Sequence, residues 1–228
     1  MLPLIRLLQL ASPALPVGAY TYSQGLEWAV ESGRIVGEES AARWIGDLLV
    51  AGVGRLEAPL LASQLRCWAN HDLDEIKRLD GDFLASRESA ELRAETLQMG
   101  YSLKRLVSEL AERADPQLAP LRAQLADWPQ VALPTVWSGI AAAWGIDPQD
   151  ALGGYLWSWA ENQVMAALKA VPLGQSAGQR LLAELGARIP AVAQSALQLR
   201  EEQWANFTPA YAICSARHET QYSRLFRS

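Results

Sequence analysis

Apolar residues recur along this chain at the three-to-four-residue spacing of helices and almost nowhere with the alternation of strands. The extreme case lies between Asp147 and Val171. Asp147 is a good N-cap, Pro148 suits the first helical position, and Pro172 forbids the helix to continue. Between them the sequence is apolar nearly all round, with Tyr155, Leu156, Trp157, Trp159, Val164, Met165 and Leu168 among its members. Such a helix belongs inside a protein. At about 100° per residue, Ser158, Glu161, Asn162 and Lys169 share an arc of about 100°, with Gln163 outside it. A core helix with one polar stripe predicts a wet passage or a subunit seam along that stripe. Gly153 and Gly154 would let a neighbouring helix approach there, and Trp157 would anchor it. Beyond the turn, Ser176 and Gln179 have the spacing of a capping box for the next helix.

The rest of the chain follows the same period. Helices are expected over 2–11, from Leu26 to Gly33, from Glu38 through Leu49, over 59–70, and from an Asp72 cap to Phe83. Others run from the charged stretch Arg87–Glu95 to Glu112 and from Pro134 to Trp144. After Gln179 the pattern runs to Gly186, breaks at Pro190 and resumes to Glu202. Pro116 and Pro120 bracket a looser segment. The fold class is therefore all-α: a single helical domain of about eight to ten helices, residues 1–206, with a C-terminal tail, residues 207–228.

The tail has no clean helical face, yet it holds Phe207, Tyr211, Tyr222, Leu225 and Phe226 beside three arginines. Aromatic and arginine residues are the usual anchors of interfaces, so the tail reads as a segment that orders against a partner.

Composition excludes several functions. The formal charge of −5 argues against general nucleic-acid binding. No apolar run has the length of a membrane span, and the first residues lack the basic region of a signal peptide. Two cysteines, Cys67 and Cys214, make no disulfide framework, which suits a reduced, cytoplasmic protein. Phosphate-binding glycine motifs are absent, and His71 and His218 stand apart from any ligand cluster, so no cofactor or metal site is expected. The nine tryptophans are core fillers or interface anchors. Glu88, Glu91 and Glu95 share a helical face that reads as solvated, or as paired carboxylates if they line a pocket.

Four stretches carry a resemblance. LQLASPALPVGAYTYSQGLEWAVESG, LASRESAELRAE, ALKAVPLGQSAGQ and SARHETQYSRLFRS, in this order and over nearly the whole chain, resemble the urease accessory protein UreF family. The resemblance implies an all-helical homodimer without catalytic activity. It implies a bridge between UreD (also called UreH) and the GTPase UreG on apo-urease, in nickel delivery. Lys169, before the Val-Pro-Leu-Gly-Gln turn, then belongs to the UreG-facing surface, with Glu161 close by. The tail engages UreD, through Arg217, His218, Tyr222, Arg224 and Phe226 as expected anchors. Gly153, Trp157, Ser158 and Asn162 are assigned to the dimer seam or passage. The alternative is a GTPase activator that supplies a catalytic arginine to UreG, from among Arg87, Arg93 and Arg217.

Overall fold

A computed structural model describes residues 1–228. The chain has no strand and eleven α-helices: α1 (Leu2–Leu10), α2 (Leu26–Glu31), α3 (Glu38–Asp47), α4 (Glu57–Ala69), α5 (Leu73–Ala85), α6 (Ala90–Arg113), α7 (Ala119–Leu125), α8 (Leu133–Ala143), α9 (Pro148–Ala170), α10 (Gln175–Gln198) and α11 (Pro209–His218). The all-α expectation holds, with one helix more than the upper count. Two helices are additional, α7 inside the segment bracketed by prolines and α11 inside the tail, while the segments expected on either side of Pro190 form one helix, α10.

Helix α9 is the hub. It packs against α10 along its length and against α1, α2, α3 and α4. Its cap forms as its sequence dictates, with Asp147 accepting from Gln149 N at 2.9 Å. Helix α4 touches both halves of the molecule: α9 and α10 on one side, α5 and α8 on the other. It buries Ala58 through Ala62, with Gln64, Leu65 and Trp68. The polar atoms trapped there are paired, as burial requires. Gln64 donates to Thr135 at 2.6 Å, Thr135 donates to Asp80 at 2.5 Å, and Trp68 donates to Ser138 at 3.0 Å. Asp80 also accepts from Ala132 N at 2.9 Å. Burial pushes the Asp80 carboxyl up despite these bonds.

Two expectations about local structure are corrected. Helix α10 runs through Pro190 without a break. The proline removes one helical hydrogen bond and costs about 3 kcal/mol. Leu181, Leu182 and Leu185 before it and Ile189, Ala193 and Ala196 after it are all buried. Breaking the helix would expose part of this set, at about 1.5–3 kcal/mol for each large side chain. The second correction concerns Ser176. It lies inside the first turn of α10, whose N-cap is Gly174 with no side-chain cap.

The tryptophans act as interior fillers. Trp68, Trp137 and Trp144 are buried, the other six are half-buried and none is exposed. Trp137 meets Tyr155 edge-on, with ring centroids 5.3 Å apart.

Candidate functional site: a polar cavity beside a folded C-terminal strap

The polar stripe of α9 faces one cavity of about 180 Å³. Ser158, Glu161, Asn162 and Lys169 all line it, and Glu57 of α4, Arg87 of the turn between α5 and α6, and Glu95 of α6 complete the wall. A space of this size admits several waters. Burial pushes the Glu161 carboxyl up. Tyr155 donates its hydroxyl to Glu57, and burial holds that phenol well above its ordinary range. The Arg87 guanidinium stacks over Phe83 at 4.1 Å and reaches Glu57 at 3.5 Å. Gln24, on the same wall, accepts from Trp159 Nε1 at 2.8 Å and donates to Glu95 at 2.7 Å.

Glu95 corrects the reading of its helical face. The face is not uniformly solvated. Glu95 is buried, while Glu88 and Glu91 are half-buried. The three carboxylates also diverge: Glu88 accepts from Asn206, Glu91 meets His218 and Arg224, and Glu95 turns to the cavity. Burial raises the Glu95 carboxyl to about 7, against the opposing hydrogen bonds from Ser228 and Gln24. Its folded form therefore keeps a proton that the unfolded chain releases near 4.5. Stability carried by this group is present below that pH and falls as pH rises from about 4.5 to about 7. Comparing thermal unfolding of wild type and Glu95→Gln across this range is expected to show the variant gaining relative stability as pH rises. A constant difference would show that Glu95 titrates in the folded protein as it does in the unfolded chain.

The tail is folded onto the body. Its helix α11 packs on α2 and α6, and the strap 219–228 crosses beside them. Gln24 and Gly25 both have left-handed backbones, φ 55° and 78°. This turn lets Ser23 N and Gln24 N donate to the backbone oxygen of Ser228, at 2.7 and 3.1 Å, with Ser23 Oγ adding a third bond at 2.6 Å. The Ser228 hydroxyl donates to Glu95 at 2.6 Å, which ties the strap to the cavity wall. Glu27 accepts from Leu225 N at 2.6 Å and from Phe226 N at 3.0 Å. His218 is fully buried, between Glu27 at 3.0 Å and Glu91 at 2.6 Å.

The expected site residues therefore separate. Of the tail anchors, Arg217, Tyr222 and Arg224 face outward, whereas His218 and Phe226 are buried against the chain's own body. Their chemistry is satisfied within the molecule, because Glu27 and Glu91 meet the His218 ring and Phe226 packs inward. Lys169 is exposed. Its ammonium lies 3.4 Å from the Tyr20 carbonyl oxygen and 5.5 Å from the Phe226 ring, and it makes no pair with Glu161. The cavity rim and the strap thus meet at Lys169. Gly153 and Trp157 stand outside the cavity. It is Gly154, not Gly153, that admits a neighbour: a Cβ there would come within 2.5 Å of Leu7 on α1, whereas Gly153 faces open space. Trp157 lies against Gly186 of α10, so its contact is intramolecular. Periodicity did not point to Gln24, Glu27 or Glu57, because their partners lie far away in sequence.

The UreF family model matches residues 35–186. The urease accessory protein UreF of Dechloromonas aromatica is 65% identical over 227 residues, covering 100% of this chain and 98% of the relative. That of an Azoarcus species is 62% identical, covering 100% and 97%. That of Methylobacillus flagellatus is 50% identical, covering 99% and 97%. The family match takes in α9 and most of the cavity wall, and the full-length relatives take in the strap as well, so this chain belongs to the UreF family of urease accessory proteins.

Proposed function

We propose that the protein is an adaptor in urease maturation. It bridges UreD (UreH) and the GTPase UreG on apo-urease and paces GTP-dependent nickel delivery, as a cytoplasmic homodimer without catalytic activity. In this reading residues 1–206 are the helical body and residues 207–228 the segment that engages UreD. The observation that carries it is the display of Tyr222 and Leu225 on a strap whose other side is anchored, with Arg217 exposed on α11 just before it. Tyr222 is fully exposed and Leu225 is 72% exposed, while Phe226 and Ser228 beside them are buried. Exposed aromatic and arginine side chains on a pre-ordered support suit recognition, since little freedom is left to lose on binding. Lys169, at the rim where α9 meets the strap, is the contact proposed for UreG, with Glu161 beside it on the cavity wall. Gly153, on open surface, fits the dimer seam, whereas Ser158 and Asn162 belong to the cavity, where a passage for a small ion would run.

Co-purification with UreD and UreG tests the reading. Tyr222→Ala is expected to weaken UreD capture by at least about tenfold, the loss of a moderate interface anchor. Lys169→Ala is expected to weaken UreG capture while sparing UreD. Unchanged capture of both partners by these variants would refute the assignments. The activator variant of the reading would act through Arg217 or Arg93, which are exposed and make no ion pair, whereas the Arg87 side chain is only 10% exposed. GTP hydrolysis by UreG, measured with wild type, with Arg217→Ala and with Arg93→Ala, separates the two roles.

A further inference from the structure

We propose that Glu27, His218 and Glu91 form a proton-dependent clasp that closes the strap 219–228 over α2 and α6, and that the strap is released as pH rises. The His218 ring is 0% exposed, so water does not complete its bonding. Its Nε2 is 3.0 Å from Glu27 Oε2, and its Nδ1 is 2.6 Å from Glu91 Oε2. An ionised carboxylate only accepts, and a neutral imidazole donates from one nitrogen alone. Two such contacts therefore require one proton more than a neutral ring and two carboxylates hold. With the ring doubly protonated, each contact becomes a charge-assisted hydrogen bond. Without that proton, one ring lone pair faces a carboxylate lone pair in a buried site, an arrangement that burial penalises.

The groups around the ring come from every element that meets it. Helix α2 supplies Glu27, whose two oxygens also take the Leu225 and Phe226 amides. Helix α6 supplies Glu91, whose other oxygen takes Arg224 at 2.6 Å. On the chain around His218, Arg217 points to solvent, and Glu219 accepts from Ala90 N at 2.7 Å at the start of α6. The proton and the strap are thus coupled through shared atoms. Losing the proton loosens both carboxylates that hold Arg224, Leu225 and Phe226.

An imidazole opened to water is mostly neutral above about pH 6.5. Docking then takes up one proton, and its equilibrium constant falls about tenfold per pH unit. Glu95, which also touches the strap, titrates at about 7, so the range above about pH 7.5 isolates the clasp. The clasp itself is a property of the single chain. Its bearing on partner capture, a strap freed more readily at higher pH, rests on the adaptor reading above.

The test is amide hydrogen exchange on the full-length protein between about pH 7.5 and 9, corrected for intrinsic rates. Protection of the Leu225, Phe226 and Arg227 amides is expected to fall as pH rises, with a slope of at most about tenfold per pH unit, the limit for one proton. In Glu91→Gln the side-chain amide donates to an unprotonated ring, so the expected slope is flat. Equal slopes in both proteins, or pH-independent protection in wild type, overturn the proposal. Ring nitrogen chemical shifts give a readout that needs no variant. At about pH 7.5, with exposed His71 as internal reference, His218 is expected to show two protonated nitrogens. A neutral-tautomer pattern with the strap docked overturns the clasp. Because the readouts use the chain alone, failure to bind UreD would count against the adaptor reading and leave the clasp standing.

Discussion

Replacing Glu27 with alanine is expected to release the strap and lower the melting temperature by about 6–12 °C. Glu27 is the acceptor for Leu225 N, Phe226 N and the His218 ring. Hydrogen bonds to a charged group contribute about 1.5–3 kcal/mol each, and three that share one carboxylate are not additive. A loss of about 3 kcal/mol is therefore the reasonable scale, and in a chain of this size each kcal/mol moves the midpoint by about 2–4 °C. The Phe226 side chain and the Ser228 contact with Glu95 are expected to go with the strap, since the Leu225 and Phe226 amides lose their shared acceptor. Thermal unfolding gives the midpoint, and tryptic cleavage after Arg224 reports the release. A variant with wild-type melting and a protected strap would show that the Ser23–Ser228 contacts suffice alone.

Gly100→Ala is expected to cost about 3 kcal/mol or more, a comparable fall in melting temperature. A Cβ at this position of α6 would overlap the carbonyl oxygen of Val131 and lie 2.9 Å from the Ala132 carbonyl carbon. These are backbone atoms, so no rotamer change relieves the overlap. The segment that would have to move is pinned from two sides: Asp80 holds Ala132 N at 2.9 Å and Thr96 holds Leu133 N at 3.1 Å. Overpacking where relaxation is blocked lies at the upper end of the usual 1–3 kcal/mol and beyond it. Thr96, Met99, Leu133 and Trp137 all line the cavity, so the damage reaches its wall. Gly81→Ala in α5 is the control. That position is exposed with open space around a Cβ, and the exchange is expected to stabilise by about 0.5–1 kcal/mol. Urea denaturation of both variants checks the pair.

The site departs from the sequence reading where charge meets tertiary structure. Glu88, Glu91 and Glu95 look equivalent on a helical wheel. In the fold they have three different neighbours, because α11 covers the start of α6 and leaves only Glu95 facing the cavity. His218 and Phe226 read as partner anchors by residue type. Their own chain reaches them first, since the acceptors on α2 and α6 are ready-made and lie close to where α11 ends. The tail showed no clean helical face because α11 buries only Cys214, Ser215 and His218, too narrow a stripe to rise above the background of exposed apolar residues such as Ile213.

The sequence by itself determined the helical class, the span and cap of α9, the polar arc along it and the family. Each of these depends on neighbours within a few residues, or on motif strings, and local spacing carries that information. Tertiary structure alone decided that the arc would open on a cavity walled by Glu57, Arg87 and Glu95. It decided too that α10 would run through Pro190 and that the tail would close as a strap. Those outcomes rest on pairs such as Ser23 with Ser228, 205 residues apart, and Glu91 with His218, 127 apart. No periodicity connects such residues; they meet only after the helices between them have packed, when burial and the need to pair every trapped charge select the partner.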